Sequence, residues 1–144
     1  MIEIHKSEDN VEQVLDAMEK AVLRALTIIG LKLETYAKAL CPVGTPESTG
    51  KKGYRGGTLR NSITYEVQQE DTTVAVGTNV VYGPYVELGT GPNFVAPPDW
   101  EQFTAPQGGG IGKGYVHPRP FLRPAVEDHL DEFKDIMKKE FENA

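Results

Sequence analysis

Ile63-Thr64-Tyr65-Glu66-Val67-Gln68-Gln69-Glu70-Asp71-Thr72-Thr73-Val74-Ala75-Val76-Gly77-Thr78 sets the architecture of this chain. Ile63, Tyr65 and Val67 alternate with Thr64, Glu66 and Gln68, the two-residue period of a strand with one face buried. Gln69-Glu70-Asp71 turns the chain, and Thr72 to Thr78 predicts a second strand with Val74 and Val76 on one face. Two such runs joined by a short polar turn predict an antiparallel hairpin. Immediately before it, Thr58-Leu59-Arg60-Asn61-Ser62-Ile63 reads as a short helical turn or the start of the strand.

On the N-terminal side, Val11, Val14, Leu15, Met18, Val22, Ala25, Leu26, Ile29, Leu33, Tyr36, Ala37 and Leu40 recur at helical spacing. Asn10 with Gln13, or Asp9 with Glu12, resembles a capping box, and Cys41-Pro42 supplies the stop. A helix over 11–40 is roughly 45 Å long at 1.5 Å per residue. Most of it reads as a core helix packed on the sheet, and the remainder projects past the core or lies along a partner. Gly30 interrupts it at a cost of about 1 kcal/mol relative to Ala. Residues 42–57 form a Gly-rich loop made basic by Lys51, Lys52 and Arg55, with Arg60 following. These four are candidate assembly or DNA contacts, weighed against a solvated loop on an acidic protein.

On the C-terminal side, Val81-Tyr82-Gly83-Pro84-Tyr85-Val86-Glu87-Leu88-Gly89 predicts a helix of one or two turns. Pro84 suits its first turn, Val81, Tyr85 and Leu88 share a face, and Gly89 closes it with a left-handed conformation. Residues 91–116 contain four prolines and six glycines and show little periodicity. Tyr115 to Leu122 predicts an edge strand, because Pro118 and Pro120 cannot donate ladder bonds. Pro124 opens a last helix with Val126, Leu130, Phe133, Met137 and Phe141 on one face. Its outer face carries Glu127, Asp128, Asp131, Glu132 and Asp135. The order α-β-β-short α-β-α predicts a single α+β domain over 1–144. A long N-terminal helix and a C-terminal helix pack on a small, mainly antiparallel sheet, with flexible loops at about 42–57 and 91–116.

Bulk properties narrow the function. The chain has 144 residues, 39% hydrophobic and 25% charged, as expected of a soluble globular domain. A net charge of −6 argues against a general nucleic-acid binder. The lone Cys41 cannot form an internal disulfide, which predicts a reducing compartment. The N-terminus shows no signal peptide, and no run approaches a membrane span.

Gly108-Gly109-Gly110-Ile111-Gly112-Lys113-Gly114 is no phosphate loop. Gln107 stands where the first Gly is needed, and Gly114 stands where Ser or Thr must follow the Lys. His5, His117 and His129 are scattered, so no metal site is predicted, and no cofactor or catalytic constellation emerges. Glu87 stands out, because an acid on a short apolar helix needs a partner if it is buried. Arg119 or Arg123 is the expected partner, tying the short helix to the last one; an exposed Glu87 is the alternative.

The order "TLRNSI", "YGPYVELGTG" and "RPFLRPAVE" before an amphipathic helix resembles the minor tail-component proteins of tailed bacteriophages and prophages, the neck or head–tail joining family. On that resemblance Tyr85, Glu87, Gly89 and Gly91 match a tyrosine-rich turn, and Pro120, Phe121, Arg123 and Pro124 match a proline-rich one. The resemblance implies a virion structural protein and no enzyme. It is made in the bacterial cytoplasm and assembles with copies of itself as a ring at the head–tail junction. Its expected partners are portal-side connector and tail-tube proteins, with DNA passing through the ring and no membrane. A tail terminator, or a small nucleic-acid-binding protein using the basic loop, is the competing expectation. The segment between the two motifs is longer and richer in glycine than in that family.

Overall fold

A computed structural model describes residues 8–44, 50, 52–53, 55–89 and 117–144. Its elements are α1 (Glu8–Leu40), α2 (Thr58–Ser62), β1 (Thr64–Gln68), β2 (Thr73–Gly77), α3 (Gly83–Leu88), α4 (Arg123–Glu127) and α5 (Leu130–Glu142). The protein is thus α+β, with a long N-terminal helix packed on a two-stranded antiparallel sheet and on a shorter C-terminal helix.

α1 is the spine. Ala21, Ala25, Ile29, Leu33, Ala37 and then Cys41 are buried at four-residue intervals, a stripe that winds slowly round the helix. Small side chains at 21 and 25 allow close approach of α5, which runs antiparallel to α1. Arg24 Nε meets Glu140 at 3.2 Å at one end of that pairing, and Lys32 Nζ meets Glu132 at 2.7 Å at the other. The hairpin crosses α1 at Gly30, where the Tyr65 ring occupies the space a Cβ would need. The glycine that weakens the helix as an isolated element is therefore required by the packing.

β1 and β2 pair in the register Tyr65↔Val76 and Val67↔Val74, as the alternation predicts. The connecting Thr72 takes φ +53°, a left-handed conformation uncommon outside glycine and asparagine.

Two apolar clusters share the interior. One, towards the C-terminal end of α1, joins Ala37, Cys41, Leu59, Ile63, Phe121 and Ala125. The other joins Ile29, Leu33 and Phe133, with Val74, Val126 and Met137 packed on them.

The C-terminal segment departs from expectation in four ways. Among the described residues, 117–122 form no strand, and the sheet has two strands. Pro118 and Pro120 have no N–H to give a ladder, and the neighbouring amides are engaged elsewhere, as shown below. Next, the last helix is broken between α4 and α5. In a continuous helix the Ala125 carbonyl would accept the His129 amide. Here that amide bonds the Val126 carbonyl at 3.3 Å, and the His129 ring Nδ1 lies 3.1 Å from the Ala125 oxygen. The His129 ring is held there by stacking on Tyr36, with centroids 3.6 Å apart.

Third, Glu132 does not lie on an outer acidic face. It turns towards α1, accepting a 2.6 Å bond from the Tyr36 hydroxyl beside its Lys32 contact. Finally, Val81 precedes α3 and is 84% exposed, so it does not share the buried face of Leu88. The expectations for residues 90–116, including Gly91, lie outside the described residues, as do His5 and Lys51.

Candidate assembly site

Glu87 is placed by α3. Pro84 sits in the first turn of that helix, where a missing N–H costs nothing. Gly89 ends it at φ 78°, ψ −177°, a region essentially reserved for glycine, while its N–H bonds the Tyr85 carbonyl at 2.9 Å. Gly83 and Leu88 are buried, which fixes the roll of the helix and aims Glu87 at the segment entering α4.

The Glu87 carboxylate receives three consecutive main-chain amides. Phe121 N–H donates to Oε2 at 2.7 Å, Leu122 N–H to the same oxygen at 3.0 Å, and Arg123 N–H to Oε1 at 3.0 Å. The Arg119 amide donates to the Val86 carbonyl at 2.8 Å. From 119 to 123 every amide that exists is thus bonded to Val86 or Glu87, and Pro120 has none to offer. An anion at the first turn of a helix also meets the positive end of its dipole.

The expected tie between the two motifs is present, and it runs through the main chain, including the amide of Arg123. The Arg123 Nε bonds Glu127 Oε1 at 2.7 Å. Phe121, locked between these amides, is fully buried in the cluster with Ala37 and Ile63. Tyr85 is half-buried, and Pro120 and Pro124 flank the bonded run. This joint is structural chemistry, because all three donors are peptide groups and none is a reacting atom.

Beside the joint lies an open, mainly apolar groove of about 530 Å³, lined by Ile29, Leu33, Val74, Val76, Leu122 and Val126. Glu87 and Arg123 reach its lining. Among the described residues no group of three His, Cys, Asp or Glu side chains could hold a metal ion. Burial pushes the Cys41 thiol up from its ordinary pKa, and the nearby Arg60 and Arg119 only partly offset this. That environment disfavours a nucleophilic thiolate.

Charge is distributed unevenly along α1. Lys52, Arg55 and Arg60 of the expected basic patch are exposed, and the stretch with Arg55 and Arg60 lies near the C-terminal end of α1. Gly56 lies against Gly44 there, and Leu59 packs with Cys41. At the other end an exposed apolar stripe of Val11, Val14, Leu15 and Met18 has Glu12, Asp16 and Glu19 along one side. The length of the helix predicts that part of it projects past the core; among the described residues that part is this stripe, because α5 and the hairpin reach only as far as the Arg24 and Glu19 contacts.

Residues 6–89 match the HK97-gp10-like family model, described as "Bacteriophage HK97-gp10, putative tail-component". The chain belongs to this family. The match spans more than half of the protein and covers α1, the hairpin and α3 with Tyr85, Glu87 and Gly89, ending before the proline-rich motif. No curated protein and no solved structure matches the chain. Membership makes this HK97-gp10-like protein a structural tail component of the phage particle. No helix among its described residues is long and apolar enough to cross a membrane.

Sequence reasoning missed three parts of the site. The amide donors to Glu87 are backbone groups that no residue letter marks. The Tyr36–His129 stack joins residues far apart in the chain. Which end of α1 projects past the core depends on where its neighbours stop.

Proposed function

We propose that this HK97-gp10-like tail component acts at the head–tail junction of the particle. In this reading its single domain assembles with copies of itself into a ring between portal-side connector proteins and the tail tube. The observation that carries the reading is the overhang of α1. A monomer gains nothing from holding Val11, Val14, Leu15 and Met18 on one exposed helical stripe. An assembly protein needs such a surface, since contiguous exposed apolar patches mark interaction sites. Opposite charges at the two ends of the subunit favour head-to-tail contacts, which close into rings when the rotation allows.

The family motifs serve the fold in this role. Tyr85, Glu87, Gly89, Pro120, Phe121, Arg123 and Pro124 hold α3 against α4, so that the surface is presented by a rigid body. No catalytic residue and no cofactor is needed. A tail-terminator ring draws on the same overhang and differs only in which end of the tube it caps. Nucleic-acid binding would rest on Lys52, Arg55 and Arg60 against a net charge of −6.

Deletion of the gene from its phage tests the reading. The expected outcome is filled heads and finished tails that do not join, with joining restored by the protein supplied in trans. Joined, infectious particles in its absence would overturn it.

A further inference from the structure

We infer that the overhanging end of α1 in one copy docks on the basic end of a second copy. The contact surface there is formed by Val81 and Tyr82 with Arg55 and Arg60. This rests on the ring reading above and names its contact.

The two ends are complementary in both polarity and charge. Val11, Val14, Leu15 and Met18 fall at i, i+3, i+4 and i+7, one face of the helix, and each is 43–60% exposed. Glu12, Asp16 and Glu19 lie together along one side of this stripe, and Asp16 bonds Lys20 at 2.9 Å on the solvent-exposed surface of the helix. At the other end Val80 packs on the Ala37–Phe121 cluster, and the next two residues, Val81 and Tyr82, are exposed. Leu59 lies close to Gly83, and the exposed Arg60 follows it in the chain with its guanidinium beside Gly57. The Glu87 carboxylate near this end is occupied by three amides. The basic end therefore offers exposed apolar side chains with arginines on the neighbouring α2 segment, and the α1 overhang offers an apolar stripe with carboxylates along one side.

Because roughly 25 residues of α1 lie between the stripe and the Ala37–Cys41 region, about 37 Å along the helix, one copy cannot satisfy both with itself. The contact is heterologous, each copy giving one end and receiving the other. A stripe of four side chains covers a few hundred Å², below the roughly 800 Å² per partner of a stable pair. A single contact is accordingly weak, and closure, which gives every copy two contacts, raises the strength.

Sedimentation velocity on the full chain and two variants tests this. Leu15→Asp blocks the overhang and Val81→Asp blocks the receiving end. Both positions are exposed, so melting curves should match the parent. The parent should associate with rising concentration up to about 1 mM and less so in high salt. Each variant alone should associate at least ~10-fold more weakly. A mixture of the two should form a one-to-one dimer and nothing larger, because only one productive pairing remains.

A parent that stays monomeric throughout, or a mixture that forms no dimer, overturns the contact. Loss of association in Leu15→Asp with none in Val81→Asp also overturns it, in favour of two overhangs pairing symmetrically. A ring seen in assembled particles without the mixed dimer sinks this contact alone. A mixed dimer whose protein forms no ring in the particle keeps the contact and sinks the ring reading.

Discussion

Replacing Glu87 with Ala removes a carboxylate that accepts three amides, at 2.7, 3.0 and 3.0 Å. A hydrogen bond to a charged group contributes about 1.5–3 kcal/mol, and an unmatched buried donor costs about 1–3 kcal/mol. The three bonds share one side chain and one of the donors, Arg123, is exposed, so they do not add in full. A loss of about 2–4 kcal/mol is expected, from the two part-buried amides of Phe121 and Leu122 and the lost charge at the first turn of α4.

At this chain length each kcal/mol moves the melting temperature by roughly 4 °C, so the variant should melt about 8–16 °C below the parent. Glu87→Gln keeps one acceptor oxygen and no charge, and should fall between the two. Arg123→Ala keeps its amide and should cost less than half as much as Glu87→Ala. Urea unfolding at neutral pH, followed by far-ultraviolet circular dichroism, gives all three values. A Glu87→Ala loss within the ~0.5 kcal/mol of an ordinary surface change would refute the joint.

Four other outcomes follow from the packing. Gly30→Ala should destabilise by about 1–3 kcal/mol despite better helix propensity, because its Cβ would overlap the Tyr65 ring; in a Tyr65→Ala background the sign should reverse, by about 1 kcal/mol in chemical denaturation. Thr72→Gly should stabilise by a few tenths of a kcal/mol to about 1 kcal/mol, read as a rise in the urea midpoint, since it relieves a positive φ.

The Glu132 carboxyl is held below its usual pKa by hydrogen bonds from Lys32 and Tyr36. A depressed folded-state value means the unfolded chain binds more protons in acid. The stabilisation is thus present above the ordinary carboxylate range and lost as pH falls through the folded value. Melting temperature should fall less steeply below about pH 5 in Glu132→Gln than in the parent, and equal slopes would exclude the effect. Cys41, buried with its pKa pushed up, should react with a thiol reagent at pH 8 far more slowly in native than in urea-unfolded protein.

The sequence made α1 and the hairpin legible because each carries a period. Apolar residues from Ala21 to Ala37 recur at helical spacing, and Tyr65 and Val67 alternate with Glu66 and Gln68. The need for glycine at 89 was legible, although the residue ends α3 at φ 78°, ψ −177° and not in the left-handed helical conformation expected. The C-terminal half was harder to read. Prolines at 118 and 120 suggested an edge strand, where they instead leave a run whose remaining amides α3 captures. The break at His129 depends on a ring stacked across from Tyr36, a contact without a local signature. At Glu87 the need for a partner was legible, but residue letters suggested a guanidinium and the fold supplied peptide groups. The proposed place in the particle rests on the resemblance of motifs, and the overhang and the division of charge support it.

A cryo-electron microscopy map of the neck of the intact phage, resolved enough to trace helices, would speak to both the location and the contact. We expect a closed ring of these domains between the portal-side connector and the tail tube, each α1 overhang seated beside Val81 and Arg60 of the next copy. A map that places the protein only at the distal tip, or as isolated copies with Val11, Val14 and Leu15 in solvent, would contradict that expectation.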